Sequence, residues 1–445
     1  MFAKTFERQV EFNAPAYRGR QARVAIEEEA ALIGAIAADP ERNPLGNLCA
    51  HRVDLCQGDA RLYRWQEQGR GLVEPVLWTD PDGATISGHV WAARRGPDRR
   101  PVVVISNGSI QAPETVYWWA ATTLAKSGYV VVTFDPQGQG RSDTFGAGRD
   151  LLTHVPAELE YLSHQTSAYL DGTRSAIDFA LSRPGRPYRP ERSPVTGVSH
   201  AGKEARRRES GLNSGFNPFW RLVDRRRIGL AGHSTGTGVV EQISREDGRV
   251  DAVVLWDAVD YGDSGQLESY PAPADPRNPL LALWADYGLP PLPYTEPPDP
   301  KARFQIFDAY RQARVDTMNV AIRGGSHSEF SYLADPIAGA TLRGIDLAAW
   351  YTLAWFDKYL RNRAGADRRL LTDRWTNDAR EAAVDRRGDG NLISTYYRSG
   401  IAIRRAGGRG ARCTWLGARG CRLLGPDARR DFSYLRRALS ADRRP

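Results

Sequence analysis

Gly232-His233-Ser234-Thr235-Gly236 follows directly on the apolar run Arg227-Ile-Gly-Leu-Ala231. The pattern is G-x-S-x-G, the nucleophile elbow, in which a serine stands where a strand turns sharply into a helix. A serine hydroxyl attacks a carbonyl only when it projects clear of the sheet. Small residues two before and two after it let the backbone come close enough for that. Such a serine also needs a base. In the chain order that goes with this turn, an acid and then a histidine follow the nucleophile. Of seven histidines only His327 comes after Ser234. It stands in Met318-Asn-Val-Ala-Ile-Arg-Gly-Gly-Ser-His327-Ser-Glu-Phe330, a short strand and two glycines, which suits a histidine held on a loop at the end of a sheet strand.

The third member of such a set is a carboxylate that fixes the imidazole tautomer and stabilises the cation formed on attack. Asp286 is the expected one. It follows Leu280-Leu-Ala-Leu-Trp-Ala285 and should emerge at the carboxyl end of a strand, where substrate-facing groups of a parallel sheet collect. Asp257 and Asp260, which follow the preceding strand, are the alternatives. A tetrahedral intermediate also needs two donors aimed at its oxyanion. The backbone N–H of Thr235 is one; the other is expected from the loop after residues 101–106, with Ser109 first, Ile110 second, and Gly108 allowing close approach. The polar turn from Asp135 to Asp143 has neither G-x-G-x-x-G nor a Walker lysine, so it reads as scaffold and not as a phosphate loop.

These groups must be carried by alternating strands and helices. Residues 71–78 and 85–92 read as strands joined by the turn Asp80-Pro-Asp-Gly83, and 101–106 and 129–134 as buried strands with a helix around 116–127 between them. A helix over 167–181 precedes a stretch, 182–221, in which the pattern dissolves into Pro, Gly, Ser, Arg and Asn, as in a lid or a disordered insertion. After the elbow, 250–256, 280–284 and 318–322 are expected strands, 301–312 a helix, and 345–360 an amphipathic closing helix. The spacing predicts an α/β fold with a parallel sheet covered on both faces. The expected organisation is an extension over 1–70 with a helix at 22–38, a catalytic domain over 71–365, and a C-terminal extension over 366–445 in which 394–403 can add a strand.

The chain has 445 residues, 41% hydrophobic, and a net charge of +8. That charge is not spread. Residues 401–445 hold twelve Arg and three Asp, a net of +9, which leaves −1 for the rest. The surplus therefore describes an Arg-rich end, expected to be disordered, and not a nucleic-acid groove; no nucleic-acid module is recognisable. No run is long and apolar enough for a transmembrane span, and no signal peptide is visible, so the expectation is cytoplasmic, with secretion the alternative. Cys49 with Cys56 and Cys413 with Cys421 form two local pairs whose redox state stays open. Their spacing, without a histidine cluster, argues against a metal site, and no cofactor is expected.

Trp118-Trp-Ala-Ala-Thr-Thr-Leu-Ala-Lys-Ser-Gly-Tyr-Val-Val-Val-Thr-Phe-Asp135, taken with the elbow, resembles the α/β-hydrolase superfamily, in its dienelactone-hydrolase, cutinase and polyester-hydrolase-like branch. The similarity runs over roughly 71–363, through Gly324 to Phe330 and the closing helix. It implies an α/β-hydrolase fold, a Ser234, Asp286, His327 triad, and Ser109 and Thr235 as amide donors, with Glu329 at most a support for the histidine. The implied activity is cleavage of small-molecule carboxylic esters, esterase- or lipase-like, through an acyl-serine. Thr235 departs from the bulky residue frequent at that position, and the 182–221 insertion departs from compact cutinases. Tyr117, Trp118, Trp119 and Trp284 are candidates for an apolar substrate pocket. A small-substrate serine peptidase and a silent scaffold binding a partner are the rival readings, and oligomeric state is not legible.

Overall fold

The computed structural model describes residues 69–108, 112–143, 157–194, 196–258, 260–261, 267–268, 275–288, 297–331, 342–371, 393–394 and 396–416, with short stretches or single positions before 66 and at 273 and 295. The chain forms two compact units, residues 15–227 and residues 228–445 together with 1–14.

In the unit of residues 15–227, β1 (Gly71–Thr79) and β2 (Thr85–Ala93) pair antiparallel from Gly71 opposite Ala93 to Thr79 opposite Thr85. Their turn is set by local chemistry. Asp80 Oδ1 accepts the Ala84 N–H at 2.8 Å, and Gly83 takes φ 87°, where a side chain would be strained. β4 (Val130–Phe134) lies antiparallel beside β2, and β3 (Arg100–Ser106) lies parallel beside β4. Both are buried along their whole length and apolar through their centres, as strands covered on two faces must be. α1 (Trp118–Lys126) and α2 (Ala157–Leu181) are the helices of this layer.

Residues 182–221 hold more structure than their composition suggests. They contain α3 (Ala201–Glu209), whose buried Arg207 pairs with Asp39 at 2.5 Å and donates to Asn213 at 2.9 Å. Glu204 of the same helix accepts the Thr79 N–H at 2.8 Å and the Asn213 side chain at 2.6 Å. Buried Arg207 is tolerable here because Asp39, Glu41 and Asn213 take its protons, whereas Glu204 accepts through Oε2 alone.

In the other unit, β5 (Val223–His233, which spans the boundary), β6 (Val250–Trp256), β9 (Leu280–Tyr287) and β10 (Thr317–Ser326) run parallel in that order. β9 and β10 are longer than their apolar runs: each continues past its last aliphatic residue into the turn that carries polar groups. β11 (Gly400–Arg404) adds antiparallel to β10, and β12 (Gly410–Cys413) adds to β11. The segment expected to be a disordered end from 401 is therefore ordered to Leu416, with Ile401 and Ile403 buried; the residues from 417 on lie outside the described ones. Cys413 is disulfide-bonded, while Cys49, Cys56 and Cys421 lie outside the described residues. Two short strands, β7 (Asp260–Tyr261) and β8 (Leu267–Glu268), pair with each other.

α4 (Thr235–Glu246), α5 (Gln305–Gln312), α6 (Leu342–Tyr359) and α7 (Ala366–Leu370) complete this unit. α6 buries Trp350, Leu353, Trp355 and Phe356. Its approach to β5 is close enough that a Cβ at Gly229 would stand 2.6 Å from the Phe356 ring. α5 starts at Gln305, four residues later than its pattern suggests, which leaves Arg303 on a turn.

Candidate active site

β5 ends at His233 and α4 begins at Thr235, so Ser234 is the whole of the connection. Its backbone lies at φ 53°, ψ −123°, a left-handed conformation that costs a non-glycine residue on the order of 1–3 kcal/mol and persists only where the surroundings enforce it. The enforcement is visible. The Ser234 N–H donates to the Trp256 carbonyl at 3.1 Å, and the Ser234 carbonyl accepts the Thr237 N–H at 2.9 Å and its hydroxyl at 2.6 Å. A Cβ at Gly232 would collide with the Gly236 carbonyl, so the small residues of the motif are sterically required.

His233 of β5 pairs with Trp256 of β6, so Ser234 and Asp257 are each the first residue beyond two neighbouring parallel strands. Asp257 also takes a positive φ, 48°, and its N–H donates to the Leu283 carbonyl at 2.7 Å. Its carboxylate is fully buried. Oδ2 accepts from His327 Nδ1 at 2.7 Å; Oδ1 accepts the Ala285 N–H at 2.9 Å and the Arg303 Nη1 at 3.1 Å. Because a carboxylate only accepts, Nδ1 of His327 carries a proton, which leaves Nε2 as the nitrogen that bears the lone pair in the neutral ring.

His327 begins a short 3-10 turn immediately after β10, and its N–H donates to the Gly288 carbonyl at 2.9 Å. His233 holds it from the other side: its Nε2–H donates to the His327 carbonyl at 3.0 Å, and the two rings stack with centroids 4.7 Å apart. Burial, reinforced by His327 beside it, pushes His233 down to about 3, so it is a neutral support. The residue preceding the nucleophile thus touches the imidazole directly.

The acid expected from sequence is corrected by this geometry. Asp286 lies inside β9, not beyond it, and its Oδ2 accepts the Gly324 N–H at 2.7 Å, which anchors the loop leading to His327 instead of the imidazole itself. The alternative, Asp257, is the carboxylate on Nδ1. Asp260 lies in β7, with its side chain outside the described residues. Thr235 is the first residue of α4, directly after Ser234. Ser109 and Ile110 lie outside the described residues. Tyr117, Trp118 and Trp119 are buried in the other unit: the Tyr117 hydroxyl accepts the Gly108 N–H at 2.9 Å, and Trp118 packs edge-on against His89 and Trp91. Trp284 is buried too, its indole N–H bonded to Asn319 and its ring under the Arg303 guanidinium. Glu329 is buried two residues past the histidine.

Arg303 and His233 are the site residues that the sequence did not announce. His233 was visible as the variable position of the motif; Arg303 had no local signal. Among the described residues no group of three or more His, Cys, Asp or Glu is arranged to hold a metal ion, and no helix is long and apolar enough to cross a membrane.

No protein-family model and no curated protein matches this sequence. Among solved structures, the chain is similar to a ferulic acid esterase from Streptomyces cinnamoneus, at 19% identity and a TM-score of 0.44 over 66% of this chain and 91% of that one. It is also similar to a dienelactone hydrolase-like promiscuous phosphotriesterase from metagenomic libraries, at 12% identity and a TM-score of 0.41 over 65% of this chain and 99% of that one.

Proposed function

We propose that this chain is a serine hydrolase of carboxylic esters, with Ser234 as nucleophile, His327 as base and Asp257 as the acid that orients it. The observation that carries the reading is the pairing of Asp257 with His327 Nδ1 at 2.7 Å beside a serine held in a strained elbow. Ser234 Oγ attacks the ester carbonyl carbon while His327 Nε2 takes its proton, and Asp257 stabilises the imidazolium so formed. The Thr235 N–H, first in α4, donates to the oxyanion, and the positive end of the helix favours the same charge. Collapse of the intermediate returns the proton from Nε2 to the departing alcohol and leaves an acyl-serine. Water, deprotonated by the same nitrogen, then releases the acid and restores the serine.

Labelling by a fluorophosphonate probe and turnover of p-nitrophenyl esters test this directly. Wild-type protein should label at Ser234, and Ser234→Ala or His327→Ala should lower turnover by at least ~10³-fold. A variant that keeps most of the wild-type rate removes its residue from the mechanism. Absence of labelling in the wild type would favour a silent scaffold. A panel of esters of rising acyl length, run beside a small peptide amide, then defines the substrate class.

A further inference from the structure

Arg303 is a charged group of the site that the chemistry above leaves without a task. It lies two residues before α5 and is 7% exposed. Its Nη1 donates to Asp257 Oδ1 at 3.1 Å and to the Ala258 carbonyl at 3.3 Å, and its guanidinium lies 4.7 Å from the centroid of the Trp284 ring. The other oxygen of the same carboxylate takes the Nδ1–H of His327. The charge of a fully buried acid is therefore divided between a permanent cation and a titratable one.

We infer that Arg303 is a positioning residue for this reaction: it fixes the Asp257 carboxylate and draws part of its charge away from His327, so that the imidazole is neutral, and able to accept a proton, at a lower pH than an unshared carboxylate would allow. The inference rests on the Ser234, His327, Asp257 reading. An opposite charge within a few ångströms favours the charged form of a group, so Asp257 alone would favour the imidazolium. A guanidinium on the same carboxylate offsets that attraction and, never losing its proton, does so at every working pH. The stack on Trp284 fixes the direction from which it acts. The titratable and charged groups at the same ends of the surrounding strands include His233 at the end of β5, Asp286 and Tyr287 in β9, and Arg323 and Glu329 on either side of His327. His233 is held neutral, and the two carboxylates are unchanged when Arg303 alone is replaced.

Two readouts test the inference, one of them independent of turnover. The first is the pH profile of kcat/KM; the second is the imidazole titration of His327, followed by NMR in Ser234→Ala protein. Arg303→Met should move the acid limb and the His327 midpoint up by about one pH unit, roughly a tenfold loss of rate on the acid side. Arg303→Lys, which keeps the charge, should bring both back most of the way. Superimposable Met and wild-type curves would overturn the inference, as would a Lys variant shifted as far as the Met variant. If Arg303→Met does not fold, the double variant Arg303→Met with Asp257→Asn decides. Folding of the double variant shows that the Asp257 charge is what requires Arg303; failure of both shows that the arginine only packs against Trp284, and the inference falls. Full ester turnover in Ser234→Ala would instead defeat the serine mechanism, while the His327 titration would still report on the charge sharing.

Discussion

At the scale of the residue, Asp257 and Asp286 differ in what each carboxylate holds: the imidazole of His327 for the first, the Gly324 N–H for the second. Both follow apolar runs in parallel strands, and both were weighed as the acid. The difference lies in where each strand stops: β6 ends at Trp256, so Asp257 turns out of the sheet at once, whereas β9 continues to Tyr287 and keeps Asp286 within it. Strand ends are decided by pairing with neighbours, here Ser326 with Tyr287, which no local pattern records. The serine and the histidine stand out as candidates because motif and chain order leave one choice each; Arg303 does not, since its partner is 46 positions away. Asp257→Asn should lower kcat/KM for a p-nitrophenyl ester by about 10⁴-fold, because an amide can hold the wrong imidazole tautomer. Asp286→Asn keeps an acceptor for Gly324 and should cost less than ~10-fold, so the reverse ranking would restore Asp286 as the acid.

At the scale of the element, the apolar run of β6 sets both of its ends, β9 and β10 run three and four residues past the ends that their apolar runs suggest, and in β11 and β12 charge hides the pairing. β11 and β12 lie in the Arg-rich end, whose composition speaks for disorder. What orders them is tertiary. Ile401 and Ile403 are buried, Gly400 meets the Phe304 and Phe307 rings, and Arg404 and its N–H bond to Asp316. Burying two isoleucines is worth about 1.5–3 kcal/mol each, far more than an exposed arginine costs. Relative to a chain ending after Leu416, one ending after Gly400 should therefore lose several degrees or fail to fold. Equal melting of the two truncations would show that the hairpin contributes nothing.

At the scale of the whole molecule, buried titratable groups shape how stability follows pH. His233 has a folded value near 3 against an ordinary one near 6.5, so below pH ~6.5 the unfolded chain binds a proton that the folded one refuses. Stability from this group is complete above that pH and is lost as pH falls toward 3, at about 1.4 kcal/mol per pH unit. Asp135 acts in the opposite sense. Burial and the Glu114 carboxylate raise it to about 7, so its contribution is present at low pH and lost as pH rises from about 4 to 7. His233→Phe should make the protein relatively more resistant to urea at pH 4.5 than at pH 7, compared with wild type. An unchanged difference between the two pH values would mean that His233 is not held neutral. The outermost strand has a consequence of another kind. β12 is last in the sheet order among the described residues, it is four residues long, and it alternates exposed and half-exposed positions with Arg412 on its surface. A strand so short, with an arginine among its four residues, gives an identical strand on another molecule little length to pair along.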